Sequence, residues 1–359
     1  MRLRWIARMF AGVCILGAAP VTAQEQGLGG IVDAWMASPH GDYHSESFTH
    51  WNEEGAVPEV CATCHSAPGF ADFIGADGSA AGKVDAPAPI NAPVSCAACH
   101  STAAMALDRA VFPSGVAEDG LGADAACTVC HMGREAGESV RAAVKGLGED
   151  EVSADLPFLN IHYGIAATVM RGADVGGGFE YPGQSYAGRF AHVPSASSCT
   201  ACHDPHDTQV APEPCMACHR GVEELSDIRM RPGDYDGDGQ NAGGIAEEIH
   251  GLHARLDRAI MVYAAEVTGK PIGYTADAYP YFFNDSDGSG AIEAAEAVYP
   301  NAYKSWTPRL LKAAYNFQAV KKDPGAYAHN PAYALQLLHD SLVSLGERVS
   351  VDLSGIARP

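Results

Sequence analysis

The sequence predicts a mainly α, loop-rich chain with two unlike halves. Three observations carry that expectation. The pattern Cys-x-x-Cys-His occurs five times before residue 220 and not after it. Over the same stretch apolar periodicity is scarce, and Gly, Pro, Ala and Ser are frequent. Beyond it, apolar residues recur at three- and four-residue steps, the period of a helix.

The copies are Cys61-Ala62-Thr63-Cys64-His65, Cys96-Ala97-Ala98-Cys99-His100, Cys127-Thr128-Val129-Cys130-His131, Cys199-Thr200-Ala201-Cys202-His203 and Cys215-Met216-Ala217-Cys218-His219. A random chain with 11 Cys and 15 His in 359 residues would hold about 0.01 of them. A zinc ribbon needs no histidine after each second cysteine, and a disulfide framework would not repeat one spacing five times. Cys-x-x-Cys-His is the c-type haem attachment sequence. Its thiols add to the two haem vinyl groups, and its histidine ligates the iron from one face. Five copies imply five covalent haems c. The last two start 16 residues apart, so two haems lie close together.

Residues 1–23 read as a secretory signal peptide: Arg2, Arg4 and Arg8, an apolar run from Met9 to Ala19, then the small residues Val21-Thr22-Ala23. The run is too short to span a bilayer, and no later apolar run reaches spanning length. Cys14 is discarded with the signal, so all ten remaining cysteines lie inside the motifs. Losing the three arginines moves the formal charge from −21 to −24. That balance argues against nucleic acid or an anionic membrane surface, and for a basic partner, a mineral or a cation.

Residues 24–220 form the haem-binding region. Segments such as Asp85-Ala86-Pro87-Ala88-Pro89 and Gly176-Gly177-Gly178 cannot bury enough apolar surface alone. Five large apolar haem plates supply the core instead, which couples cofactor to folding. Short helices at the motifs joined by long loops are expected. Ten histidines lie outside the motifs. Six are candidates for the second axial position: His40, His50, His162, His192, His206 and His329. His206 follows His203 too closely to cap the same haem. His162 and His192 fall in the long stretch between the third and fourth motifs. His44, His250, His253 and His339 fit surface or core roles better.

Residues 221–359 are the helical C-terminal region. Ile245, Ile249, Leu252, Leu256, Ile260 and Val262 mark a helix within Gly244–Val267. Trp306–Val320 and Pro331–Leu345 predict two more, the last with Leu335, Leu338, Leu342 and Leu345 as core. Two acidic loops interrupt them. Asp285-Ser286-Asp287-Gly288-Ser289-Gly290-Ala291-Ile292-Glu293-Ala294-Ala295-Glu296 matches an EF-hand calcium loop. Asp285, Asp287, Ser289, the Ala291 carbonyl, Glu293 and Glu296 supply oxygens there. Tyr279-Pro280-Tyr281 before it does not read as an incoming helix. Asp234, Asp236 and Asp238, followed by Gly239, match the first half of the same pattern and suggest a second calcium site. Its twelfth position is Ile245, so Glu247 or Glu248 would close the loop.

The chain resembles the exported multihaem c-type cytochromes of respiratory and metal-reducing bacteria. The five motifs, Cys202-His203-Asp204-Pro205-His206, Phe48-Thr49-His50-Trp51 and Ala326-Tyr327-Ala328-His329-Asn330-Pro331-Ala332-Tyr333 carry the resemblance. It implies bis-histidine, low-spin haems in a stacked chain, in the periplasm or at the cell surface. It also implies electron relay between respiratory partners and an extracytoplasmic or extracellular acceptor. Every motif ends in His, which favours a carrier over an enzyme. The alternative is a multihaem oxidoreductase of small nitrogen or sulfur compounds with one open iron. Six candidate histidines for five haems also leave room for a homopolymer in which one copy caps a haem of the next, or for complexes with other redox proteins.

Overall fold

The structure, a computed structural model, describes residues 27–359. The expected signal, residues 1–23, lies outside the described residues. The chain is helix-rich, with two short antiparallel hairpins, Arg109–Val111 with Ala117–Asp119 and Ile272–Tyr274 with Phe282–Asn284.

The first three motifs each end a short helix: Glu59–His65, Ala97–His100 and Asp124–His131. Cysteines at i and i+3 and a histidine at i+4 share one face of such a turn, so both thiols and the imidazole project to the same side. The fourth motif begins on a 3₁₀ turn, Cys199–Ala201, and the fifth on Glu213–Met216. Protein core around the motifs is thin. One cluster gathers Phe70, Ile74, Ala98, Ala104, Ala110, Leu121, Ala125 and Val129, and another holds Val57, Ala62, Val84 and Ala88.

The large core belongs to three long helices. Ile245–Tyr263 continues through a π-helical turn, Ala264–Thr268, and stops at Gly269 in the left-handed region. Pro308–Lys321 starts where the Thr307 hydroxyl accepts from Leu310 N–H, and Pro331–Gly346 where Asn330 caps Tyr333 N–H. Proline at the first turn suits both starts. The apolar stripes meet through Leu252, Leu256, Ile260, Leu310, Leu311, Leu338 and Leu342, all nearly inaccessible.

This core also takes residues from before position 220. Pro308–Lys321 is buried on every side, although Arg309, Lys312 and Asn316 interrupt its apolar residues. Buried polar groups need partners. Arg309 pairs with Asp150 at 2.8 Å, and Asn316 donates to the Phe179 carbonyl at 2.9 Å and accepts from its N–H at 2.7 Å. Val140, Leu156, Ile161, Ile165, Val169 and Phe179 therefore pack into the C-terminal core.

His253 shows how tightly this core excludes water. Its Nε2 bonds the Phe317 carbonyl at 2.9 Å and its ring stacks on Phe317. Burial, reinforced by Lys321 and His250 against the Phe317 carbonyl, lowers its pKa to about 4. The unfolded chain therefore takes up this proton at higher pH than the folded one. Stability is retained above pH 6.5 and lost as pH falls from there through 4, by up to about 3 kcal/mol. His253→Gln should shrink the difference in Tm between pH 7 and pH 4. An unchanged difference would mean that other groups carry the acid sensitivity.

Candidate haem centres

All ten described cysteines are free thiols, each within a motif. Each motif histidine faces a second histidine ring. His65 faces His162 with ring centroids 5.8 Å apart, His100 faces His206 at 6.3 Å, and His131 faces His40 at 6.3 Å. His203 faces His329 at 6.2 Å, and His219 faces His192 at 5.8 Å. A metal–imidazole nitrogen bond is about 2.0–2.1 Å, so two rings on opposite sides of one metal have centroids about 6.3 Å apart. In the first pair the two Nε2 atoms lie 3.5 Å apart, about half an ångström inside the separation of about 4.0–4.2 Å that one shared metal sets. A cleft of about 330 Å³ opens beside the second motif, lined by Ala67, Pro68, Phe70, Ala71, Ala97 and Ala98. Small apolar side chains there suit a flat apolar plate.

Hydrogen bonds fix which nitrogen three of these rings leave free. His65 Nδ1 is held by the Ser47 carbonyl at 2.7 Å, His131 Nδ1 by the Gly164 carbonyl at 2.8 Å, and His329 Nδ1 by Asp323 at 2.9 Å. Nε2 is then the nitrogen left free to ligate, the arrangement that outer partners of metal-bound imidazoles produce. Burial lowers the pKa values of His40, His65 and His203, in each case against a backbone carbonyl that raises them. His162 falls to about 4 through burial first, then His65, Arg134 and Lys322. These rings are neutral at pH 7, the form a metal needs. His329 differs: burial lowers its pKa, but Asp323 outweighs burial and raises it.

Of the six candidates from the sequence, His40, His162, His192, His206 and His329 meet a motif histidine. His50 does not. Phe48 turns inward, and the exposed His50 ring bonds Glu46 at 2.8 Å and lies edge-on to Trp51, which itself packs on His65. Among the remaining four, His339 pairs with Asp340, His44 packs on Tyr43, and His253 bonds Phe317. Sequence reasoning missed Asp323 and Lys322. Lys322 is 3% exposed, its ammonium has no hydrogen-bond partner, and it lies 2.8 Å from the Tyr163 ring centroid and 3.8 Å from that of Tyr281. Burial lowers its pKa to about 7. No local spacing ties either residue to a motif.

The two acidic loops share one construction. Gly239 and Gly290 occupy the sixth position with φ of +83° in both. Their N–H groups donate to the first aspartate of each loop, Asp234 and Asp285, at 2.9 Å. In the second loop, Asp285, Asp287 and Glu296 bring carboxylate oxygens within 4.8 Å of one another. Ser289 Oγ donates to the Ala291 carbonyl and to Glu293 there. Glu296 Oε2 is buried without a partner. The strand Phe282–Asn284, not a helix, enters this loop, and Ile292 lies against Gly273 of the hairpin. In the first loop the group is Asp234, Asp236 and Glu248. Glu248 arrives from the helix Ile245–Tyr263, and its carboxylate is already taken by Arg229 and by the N–H groups of Tyr235 and Asp236. Asp238 stands apart and accepts from Gln240 N–H.

Five thiol pairs with five facing histidine pairs are the arrangement a bis-histidine, c-type multihaem cytochrome would require. The chain is 26% identical to the C-type polyheme cytochrome OmcB of Geobacter sulfurreducens over 389 aligned positions, which cover 90% of this chain and 49% of that protein. It is 28% identical to the C-type polyheme cytochrome OmcC of the same organism over 238, covering 58% of this chain and 28% of that one. Over these spans the chain is similar to multihaem c-type cytochromes. The chain spans about half the length of the first relative and less of the second. No protein-family model and no solved structure matches it.

Proposed function

We propose that this protein is an exported pentahaem electron carrier with every iron held by two histidines. The pairs are His65 with His162, His100 with His206, His131 with His40, His203 with His329, and His219 with His192. The observation that carries this reading is the set of five ring pairs at 5.8–6.3 Å. When bound, each haem supplies one-electron redox chemistry. The cysteines would anchor it and the paired histidines would hold its iron, while Ser47, Gly164 and Asp323 hold the imidazoles of His65, His131 and His329 in orientation. With both positions closed from within the chain, no iron is left for a substrate or for a histidine of a second copy. Among the described residues no helix is long and apolar enough to cross a membrane. The acidic surface suits a basic redox partner or an extracellular acceptor such as a mineral.

Carbon monoxide tests this reading. The reduced protein should keep its visible spectrum under the gas, because six-coordinate iron has no vacancy. A fast spectral change in one haem of five, with turnover of nitrite or hydroxylamine, would make the protein an enzyme.

Calcium belongs to the same reading. Asp285, Asp287, Ser289, the Ala291 carbonyl, Glu293 and Glu296 offer the hard oxygens that Ca²⁺ prefers, and the unpartnered Glu296 Oε2 supports a cation there. The loop at Asp234, Asp236 and Glu248 is a second candidate, with Arg229 already neutralising part of its charge. A chelator should lower Tm, since a ligand at a hundred times its Kd stabilises the folded state by about 2.7 kcal/mol. Glu296→Gln should remove most of that sensitivity. If the chelator changes nothing, the loops are acidic turns.

A further inference from the structure

We propose that the haem on Cys127, Cys130 and His131 is the junction of the five, meeting the first, second and fourth haems separately, with the fifth reached through the fourth. This rests on the five-haem reading above. It makes the array a branched network rather than a single file.

The two cysteines of the third motif face different neighbours. Cys130 neighbours Cys64 of the first motif, and Cys64 Sγ lies 3.9 Å from the carbonyl of Val129, the residue before Cys130. Cys127 neighbours Cys199 of the fourth motif, and Asp124 Oδ1 accepts from Cys199 N–H at 3.0 Å. The helix Asp124–His131 packs against both Glu59–His65 and the turn Cys199–Ala201. Each thiol is the atom that bonds a vinyl group at the porphyrin rim. Thiols of two motifs in mutual contact therefore bring two haem rims side by side. Electron tunnelling falls steeply with edge-to-edge separation, so these contacts choose the route.

The axial ligands repeat the pattern. His131 Nδ1 bonds the carbonyl of Gly164, two residues after His162, the distal histidine of the first haem. His40 lies beside the backbone of Pro205, the residue before His206, the distal histidine of the second haem. Cys99 of the second motif neighbours Cys127, and Ala98 shares an apolar cluster with Ala125 and Val129. Both ligands of the third iron are thus tied to a segment that carries another haem's ligand. At the far end Cys202 neighbours Cys215, which joins the fourth haem to the fifth.

The test uses the full haem-loaded protein and reads redox coupling, not activity. A thioether ligand raises a haem's potential, so His40→Met makes the third haem the first to reduce. One added electron about 10 Å away, at an effective dielectric near 20, disfavours reduction of a neighbour by on the order of tenfold. Paramagnetically shifted haem-methyl signals, followed by NMR during reductive titration, report each haem separately. In His40→Met the first, second and fourth haems should each become about tenfold harder to reduce once the third is reduced, and the fifth should respond far less. His192→Met, at the fifth haem, should affect the fourth alone. Responses from only two haems to His40→Met, or a fifth-haem response as large as the others, overturn the junction. If His40→Met does not mature, iron–iron distances in the wild-type holoprotein decide. Three near neighbours around the third iron support the junction, and two overturn it. Optical and EPR spectra of the wild type, taken first, show whether five low-spin haems are present, so failure of the five-haem reading is seen separately.

Discussion

Replacing any one of His40, His162, His192, His206 and His329 with alanine should convert one haem in five to high spin and leave four low-spin, whereas His50→Ala should convert none. Each of the five rings faces a motif histidine across 5.8–6.3 Å, and each lies far in sequence from its partner or on another motif's segment. Alanine removes the nitrogen and leaves the iron one ligand, so small molecules gain a vacancy at that haem alone. His329→Ala should also free Asp323, a carboxylate 3% exposed that would then be buried without its partner. Leaving a buried charge unpaired costs about 3–5 kcal/mol, so this variant should lose the most stability of the five. High-spin absorption and EPR intensity count the affected haems. A high-spin haem in His50→Ala would reassign the pairing.

Haem removal should have the second large effect. The denatured mature protein should exceed its polypeptide mass by five haems, and replacing both cysteines of one motif with alanine should lower it by one. Without haem the two halves should part company. The apolar clusters around the motifs hold eight and four buried residues, too few to offset the entropy of the surrounding loops. The core built on Ile245–Tyr263, Pro308–Lys321 and Pro331–Gly346 depends on no motif residue. Hydrogen exchange on protein made without haem maturation should therefore protect those helices and leave residues 38–131 near the rates of an unfolded chain. Equal protection in both regions would show that haem is not the core of the first.

How much was legible in the sequence follows from where each interaction is encoded. Covalent attachment needs two thiols and a histidine within one turn, so the fifteen motif residues stand out in the sequence as candidates. The three long helices were legible because leucines such as Leu335, Leu338 and Leu342 keep one face. The facing histidines were narrowed only to six, because pairs such as His65 with His162 and His203 with His329 form through tertiary folding and leave no spacing to read. His50 shows the limit. It lies eleven residues before Cys61, yet burial of Phe48 turns the segment so that His50 faces solvent. The core's reach across residue 220 was hidden for a similar reason. Arg309, Lys312 and Asn316 look like a solvated face until Asp150, Glu149 and Phe179 arrive as partners. The acidic loops could be read as far as Gly239 and Gly290. That Glu248 closes the first loop depends on the helix that carries it.

The most direct test of five closed haems is a low-temperature EPR spectrum of the fully oxidised wild-type protein, calibrated against total haem. Five low-spin haems per chain and no high-spin signal are expected. A high-spin signal amounting to one haem in five would contradict the bis-histidine assignment and point to an open, reactive iron.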